Sequence, residues 1–179
     1  MLFKNIKSLT LAAMLVAMSV IIGIFCKSVL NFGGGLFRIT FENLPIIMAG
    51  MMFGPIAGAL TGVVADLFGC LLVGYTINPI VTLGAFFIGL TSGFICKHVK
   101  ISKDIFKIIV CVVTSHIIGS IIIKTFGLAT FYSFPVYVLM AWRALNYLIV
   151  AIAEILVLNL ISKNSYLKTL IFTKDWRKL

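Results

Sequence analysis

Residues Leu9–Cys26 have the sequence LTLAAMLVAMSVIIGIFC, a run of 18 residues without a charged side chain. A helix that crosses the hydrocarbon core of a bilayer needs about 20 mostly apolar residues, so this run predicts a transmembrane helix. Lys4 and Lys7 precede it, as basic residues also precede the apolar core of a signal peptide. However, no A-x-A-like cleavage site ends the run, and Phe25 before Cys26 is too large for a lipoprotein cleavage site. We therefore interpret it as the first membrane span.

The rest of the chain has the same membrane-like composition. Of its 179 residues 61% are hydrophobic and 11% are charged, and the mean hydropathy is +1.18. A soluble domain typically has about 25% charged residues, so this composition excludes an ordinary soluble domain and a disordered chain. It predicts an all-α membrane protein, a compact bundle that forms one integral membrane domain over residues 1–179. Six transmembrane helices are expected, at about 9–26, 39–53, 56–73, 79–96, 105–123 and 141–162.

The distribution of basic residues predicts the orientation of these spans. With both termini in the cytoplasm (N-in, C-in), 11 of the 15 Lys and Arg residues lie in inner segments, as the positive-inside rule expects. The net charge of +10 is therefore explained by topology, and we expect no nucleic-acid partner. The inner basic residues are Lys4, Lys7, Lys97, Lys100, Lys103, Lys107, Lys163, Lys168, Lys174, Arg177 and Lys178.

The other four cations are expected at the outer ends of the spans. They end spans one and five and open spans two and six: Lys27, Lys124, Arg38 and Arg143. Spans two, four and six also enter from outside, so their N-terminal dipoles add positive potential at the same mouth. This combination predicts a binding site for an anionic solute. The alternative is that each cation reaches the lipid headgroups on its own.

Polar residues continue the predicted site into the membrane, where such residues are costly unless they pair or line a cavity. His116, Ser120 and Lys124 are spaced by four and share one face of span five. Further candidate ligand-binding residues lie on spans four and six: Asn78, Thr82, Trp142 and Asn146. Trp142 is expected to stack on a flat ring. The aromatic residues of the loop before span six are expected to form an interfacial belt: Phe126, Phe131, Tyr132, Phe134 and Tyr137.

Three titratable residues inside the spans have a structural interpretation. His116 is expected to be a packed, hydrogen-bonded core histidine, and Asp66 and Glu154 are expected to be partners of cations or helix ends. Among the four outer cations, Lys27 and Lys124 are expected near the solvated end of the site. Their effect on ligand binding should therefore depend more on salt than the effect of Arg143.

Small residues recur at helical spacing in several spans. Ala13 and Ala17 lie one turn apart in span one, and their spacing alone leaves internal packing and partner docking open. Pro55 is expected to turn the chain. Two glycine series are expected to allow close helix packing inside the bundle: Gly50, Gly54, Gly58 and Gly62, then Gly89 and Gly93.

The chain has no enzyme signature. The motifs G-x-x-x-x-G-K-[ST], H-E-x-x-H and G-x-S-x-G are absent, and Gly89-Leu-Thr-Ser-Gly93 departs from the last of them by one position. We therefore expect no catalysis and no cofactor. The cysteines are scattered without a C-x-x-C pair, so no metal site is predicted: Cys26, Cys70, Cys96 and Cys111.

Several blocks of sequence resemble the substrate-binding S components of energy-coupling-factor (ECF) vitamin transporters, up to about residue 162. They are Ala13-Met-Leu-Val-Ala17, Arg38-Ile-Thr-Phe-Glu-Asn-Leu-Pro45, Phe53-Gly-Pro-Ile-Ala-Gly-Ala-Leu-Thr-Gly62, Ala65-Asp-Leu-Phe-Gly69 and Asn78-Pro-Ile-Val-Thr-Leu83. The block at 38–45 and the pattern F-G-P-x-x-G-A-x-x-G-x-x-A-D-L are most similar to the folate-specific branch. Many folate S components have an aromatic- and proline-rich loop where this chain has Val73-Gly-Tyr-Thr-Ile-Asn78. The alternative is therefore an S component for another vitamin or heteroaromatic solute, such as pantothenate, thiamine or a queuosine precursor.

The resemblance implies a high-affinity folate-binding subunit without catalytic activity, located in the bacterial plasma membrane. Its partners would be a transmembrane coupling protein and two ABC ATPases, whose ATP hydrolysis makes the S component topple and carry the vitamin inward. Ala13 and Ala17 would form the docking face for those partners. Cations at the mouth suit the two glutamate carboxylates of folate, and Gly33-Gly34-Gly35 would hinge a lid over the site. A standalone transporter or channel, which needs no docking face, is the remaining alternative.

Overall fold

The structure of the chain is a computed structural model that describes residues 6–29, 31–32, 37–132 and 135–172. Within these residues α5 continues through a π-helical segment into α6 without a break. The elements, in chain order, are α1 (Ile6–Val29), β1 (Asn31–Phe32), β2 (Phe37–Arg38), α2 (Asn43–Phe53), α3 (Pro55–Val73), α4 (Pro79–His98), α5 (Asp104–Ser115), the π segment (His116–Ile123), α6 (Lys124–Tyr132), α7 (Val136–Ser162) and α8 (Ser165–Phe172).

Five of the described helical segments are long and apolar enough to cross a membrane. They are α1, α3, α4, the continuous segment Asp104–Phe131 and α7. The predicted all-helical membrane fold is thereby confirmed, and its orientation in the membrane stays a prediction. The expected second span is shorter than predicted: α2 has 11 residues. At about 1.5 Å per residue that is roughly 16 Å, against about 30 Å of hydrocarbon.

Helix α2 is short because the chain on each side of it adopts another conformation. Phe37–Arg38 pairs with Asn31–Phe32 as an antiparallel strand, so Arg38 does not open the second helix as expected. Gly54 ends the helix with φ 91°, and Pro55 begins α3 at once. All eleven residues of α2 are buried. A helix that is apolar all round belongs in a core, and α2 is the centre of the bundle, in contact with α1, α3, α4 and α8.

Two predicted boundaries near the expected outer mouth are wrong. Lys124 does not end span five, because the helix continues to Tyr132. Arg143 does not open span six, because α7 begins at Val136, about two turns earlier. Gly127 lets the extended helix pack closely on α4, because a Cβ there would lie 2.8 Å from Cβ of Ile80. Of the aromatic residues expected in a loop, four are helical and one lies outside the described residues: Phe126, Phe131, Tyr132 and Tyr137, and Phe134.

The two glycine series pack inside the bundle, as predicted. A methyl group at Gly89 would strike the carbonyl of Gly58, and one at Gly62 would strike the carbonyl of Ala85. A Cβ at Gly93 would lie 2.6 Å from backbone atoms of Gly54 and Pro55. The missing side chains therefore let the backbones of α2, α3 and α4 approach closely.

The basic tail contains a helix that the sequence analysis did not predict. Helix α8 packs against α2 and α7. Lys97, in the last turn of α4, donates a hydrogen bond of 3.2 Å to the carbonyl of Ile171. Lys168 pairs with Asp104 at 2.6 Å, and the side chain of Ile171 is buried. Helix α8 thus contributes to the burial of α2. Residues 173–179 lie outside the described part.

Candidate ligand-binding site

An open cavity lies between α1, α3 and α4, next to the residues at which α2 and α6 begin. Its empty volume is about 290 Å³, which includes space open to solvent. Within it there is room for about one water molecule, so a larger ligand must displace side chains that line the cavity. Its polar and charged lining consists of Ser19, Lys27, Glu42, Asp66 and Lys124.

One carboxylate joins two lysines across this cavity. Glu42 Oε2 lies 3.7 Å from Lys27 Nζ, and Glu42 Oε1 lies 3.9 Å from Lys124 Nζ. The side chains of Lys27, Glu42 and Lys124 are only 9%, 15% and 5% exposed. The expectation that both lysines lie at the solvated end of the site is therefore wrong, because helix packing has removed them from solvent.

Local structure fixes each member of this group. Lys27 lies in the last turn of α1, and two turns earlier Ser19 donates a hydrogen bond of 2.6 Å to the backbone carbonyl of Glu42. Lys124 begins α6 directly after the π segment and donates to Asn43 Oδ1 at 3.4 Å. The N-terminus of α2 is thus held from both sides.

A second polar group on the cavity wall is centred on Asp66. Thr82 Oγ1 donates to Asp66 Oδ2 at 2.7 Å, so the partner of Asp66 is a hydroxyl and not the expected cation or helix end. Asn78 caps α4 by accepting from Ile80 N at 3.0 Å, and its amide donates to the carbonyl of Gly127 at 2.9 Å. This use of both polar atoms argues against a ligand-binding role for Asn78. Thr82 does not line the cavity itself, and its contact with the lining is this hydrogen bond to Asp66.

Arg143 lies beside the cavity and not in its lining. Its Nη2 donates to the carbonyl of Ser120 and to the hydroxyl of Tyr147, both at 3.2 Å. The guanidinium lies 5.3 Å from the centre of the Tyr147 ring. Within the described residues no carboxylate pairs with Arg143, and its Nε is buried without a hydrogen-bond partner. Ser120 is one turn from Lys124, so Arg143 adds a third cation near the two lysines.

A buried pair lies next to Ser120 and Tyr147, the two hydrogen-bond partners of Arg143. His116 Nε2 lies 2.6 Å from Glu154 Oε2, and His116 Nδ1 lies 3.2 Å from Ser120 Oγ. The rings of His116 and Tyr147 are in contact, with centroids 4.9 Å apart. His116 is therefore the packed core histidine that was predicted, and Glu154 is its structural partner.

The remaining candidate residues are not at the cavity in the described structure. Trp142 is 50% exposed and lies on the outward stripe of α7 with Leu145 and Ile149, which suits an interfacial belt better than a ligand stack. Asn146 is buried inside the bundle. Only the backbone of Arg38 is described, and the Gly33–Gly35 lid lies outside the described residues.

Ala13 and Ala17 are exposed on α1, whereas Ala12 and Leu15 of the same helix are buried. The structure thus places the small-residue pair on the outer face of the bundle. None of the residues that the structure describes packs on it closely enough to bury it.

Glu42 is the central residue that the site prediction missed. The sequence analysis includes it only in the block Arg38-Ile-Thr-Phe-Glu-Asn-Leu-Pro45 and not among the candidate ligand-binding residues. A carboxylate just before an apolar helix, in a chain with five acidic residues, was the available signal.

Two solved structures have a fold similar to that of this chain. The fold is similar to the crystal structure of FolT bound with folic acid, with a TM-score of 0.68 and 24% identity over 86% of this chain and 90% of that one. It is equally similar to the crystal structure of the S-component for biotin from an ECF-type ABC transporter, with a TM-score of 0.68 and 20% identity over 93% and 96% of the two chains. At these identities the likeness shows the fold.

The sequence also matches a curated relative and a family model. The "Uncharacterized protein MG313 homolog" of Mycoplasma pneumoniae (strain ATCC 29342 / M129 / Subtype 1) is 36% identical over 73 residues, which cover 41% of this chain and 24% of that protein. The family model described as "ECF transporter, substrate-specific component" matches residues 7–170, nearly the whole chain. The resemblance noted from the sequence is thereby confirmed, and the chain belongs to the substrate-specific components of ECF transporters, which bind substrate and are not catalytic.

Proposed function

We propose that this chain binds folate at the cavity between Lys27 and Lys124 and delivers it inward with partner subunits. The observation that carries the proposal is a pair of buried lysines at one open cavity with a single carboxylate, Glu42, between them. Desolvated cations are costly unless they are paired with an anion, and a ligand carboxylate supplies that pairing. The nearby guanidinium of Arg143 raises the positive potential further.

The two ends of folate suit different parts of this wall. The glutamate tail carries two carboxylates, which match the two ammonium groups. The pterin edge carries N–H donors, and Asp66 offers carboxylate oxygens, of which Thr82 occupies Oδ2. A cationic vitamin such as thiamine does not match the paired lysines.

Energy for transport comes from partners in this proposal, because the sequence has no phosphate-binding motif. A transmembrane coupling protein and two ABC ATPases bind the outer face of α1 around Ala13 and Ala17. ATP hydrolysis then makes this subunit topple and release its vitamin in the cytoplasm of a bacterial cell.

The first experiment identifies the small molecule that co-purifies with the protein, by its absorbance and mass, and titrates folate into the ligand-free protein in detergent. Lys27→Met and Lys124→Met should each weaken folate binding by roughly 30-fold or more, since losing a desolvated charged partner costs about 2–5 kcal/mol and 1.4 kcal/mol is tenfold. Arg143→Ala should cost less, because Arg143 lies outside the lining.

The matched control is Lys107→Met, the same change at a lysine beside Phe172, far from the cavity. It should bind folate as the wild type does. Normal folate binding by both cavity variants, or no binding by the wild type, would contradict the proposal.

A smaller monocarboxylate vitamin is the second candidate. It is favoured by the small free space within the cavity, and the biotin S-component has the same TM-score as FolT. Displacement of the co-purified molecule by biotin but not by folate would favour this second candidate.

A further inference from the structure

We propose that Glu42 is an internal competitor for the ligand: its carboxylate occupies the seat between Lys27 and Lys124 that a ligand carboxylate takes, and it thereby determines which anions the site accepts. This inference rests on the proposed function in one respect, namely that the ligand carries a carboxylate.

The distances within this group favour exchange. Strong ammonium–carboxylate hydrogen bonds measure about 2.7–2.9 Å. The contacts of Glu42 with Lys27 and Lys124 are longer, 3.7 and 3.9 Å. Neither of these two contacts is a direct hydrogen bond, and one carboxylate leaves the two ammonium groups with a net charge of +1. A ligand carboxylate that reaches both ammonium groups at hydrogen-bond distance therefore makes the stronger contact with them.

Glu42 can leave the seat without unfolding its helix. It is the N-cap residue of α2, but its side chain makes no capping hydrogen bond. Its backbone is held separately, by Ser19 through the carbonyl. Rotation of the carboxylate therefore removes no capping hydrogen bond from α2.

Gly23 of α1 provides the room for Glu42 in this seat. A Cβ at position 23 would lie 2.8 Å from Glu42 Oε2 and 3.4 Å from its Cβ. The nearest atom is the end of a flexible side chain, so Gly23→Ala would displace the carboxylate and keep its charge. The chain thus offers two independent ways of vacating the seat.

The carboxylate of Glu42 between the two lysines affects which ligands the site prefers. A simple anion gains little by replacing one carboxylate with another, whereas a ligand with further contacts on the wall gains from those contacts as well. Glu42 therefore lowers the affinity of the site for small carboxylates more than its affinity for a vitamin that makes further contacts.

The test uses glutarate, a dicarboxylate without a vitamin ring, and the full-length protein in detergent. Glutarate binding is measured by titration calorimetry and by the rise in melting temperature. Glu42→Gln should bind glutarate at least about tenfold more tightly than the wild type, because removing a competing charge pair is worth about that factor. Gly23→Ala should shift in the same direction.

Asp66→Asn is the matched control, since it removes the other carboxylate of the cavity. It should gain no affinity for glutarate, because Asp66 bonds to Thr82 and not to the lysines within the described residues. The triple change Lys27→Met, Lys124→Met, Glu42→Gln should abolish the gain.

The outcomes separate this inference from the folate proposal. A gain for glutarate in Glu42→Gln supports the competitor even if the wild type does not bind folate. An unchanged or weaker glutarate affinity in Glu42→Gln overturns it, and weaker folate binding in the same variant would make Glu42 a ligand contact instead. If Glu42→Gln does not fold, Gly23→Ala decides. If neither variant folds, the Glu42 contact is structural and the competitor role is rejected.

Discussion

At the scale of single residues, Glu154 shows how a charge is accommodated inside this bundle. Its side chain is 0% exposed, and its partner is His116 on the π segment, 2.6 Å away. His116 is held in turn by Ser120 and by contact with the Tyr147 ring. The pair joins α7 to the fifth span close to Arg143. Its loss should therefore lower the stability of the protein more than its ligand affinity.

We expect Glu154→Leu to lower the melting temperature strongly, because it leaves a buried imidazole without its acceptor. Breaking a buried pair on one side costs about 3–5 kcal/mol, whereas replacing both partners by apolar groups is often nearly neutral. The double variant His116→Phe, Glu154→Leu should therefore be more stable than Glu154→Leu alone. Thermal unfolding in detergent measures both.

Asp104→Asn provides the comparison for this experiment, because it breaks an exposed pair with Lys168. Exposed pairs contribute about 0–1 kcal/mol, so its melting temperature should hardly change. Additive losses in the double variant would show that His116 and Glu154 do not stabilise each other.

At the scale of secondary-structure elements, the π segment His116–Ile123 gives the fifth span its register. Its wider turn keeps His116, Ser120 and Lys124 all buried, so the face predicted from their spacing of four is confirmed. Gly119 lies within the segment, where a Cβ would lie 2.7 Å from the carbonyl of Gly84. Short π segments are often found at functional sites, and this one ends directly at Lys124.

The contact of α3 with its neighbours leads to a prediction about Gly58. A Cβ there would lie 2.5 Å from Cα of Gly50 and from the carbonyl of Gly89. Gly58→Ala should destabilise the protein, since overpacking typically costs about 1–3 kcal/mol. Gly69→Ala on the same helix is the control, because its Cβ would meet only Lys27 Nζ, at 3.7 Å. It should be neutral or slightly stabilising, and equal melting temperatures for the two variants would refute the close-packing argument.

At the scale of the whole molecule, the outward-facing surface of α1 leads to a prediction that distinguishes ligand binding from transport. Ala13 and Ala17 are exposed and do not line the cavity, and Ala13 lies about four turns before the lining residue Lys27. A flat pair of small residues lets a partner helix approach closely in lipid. Docking of the coupling protein at this face stays a proposal.

Ala13→Trp and Ala17→Trp should keep near-normal ligand affinity in detergent, because neither position contacts the cavity. Both should lose co-purification with the coupling protein and ATPases, and with it ATP-driven uptake. Leu156→Trp, at an exposed position of α7, is the control and should assemble normally. Loss of ligand binding together with assembly in the alanine variants would reject the docking face.

The sequence by itself determined the membrane fold, most helix positions, the two glycine series and the family, because hydropathy, spacing and motifs are local properties. It also placed cations at the site, but it did not show which carboxylate they meet. Lys27, Glu42 and Lys124 lie far apart in the chain and meet only through the packing of α1, α2 and α6. The length of α2, the helix in the tail and the burial of both lysines were likewise decided by tertiary structure, since each depends on which apolar surface a neighbouring helix already covers.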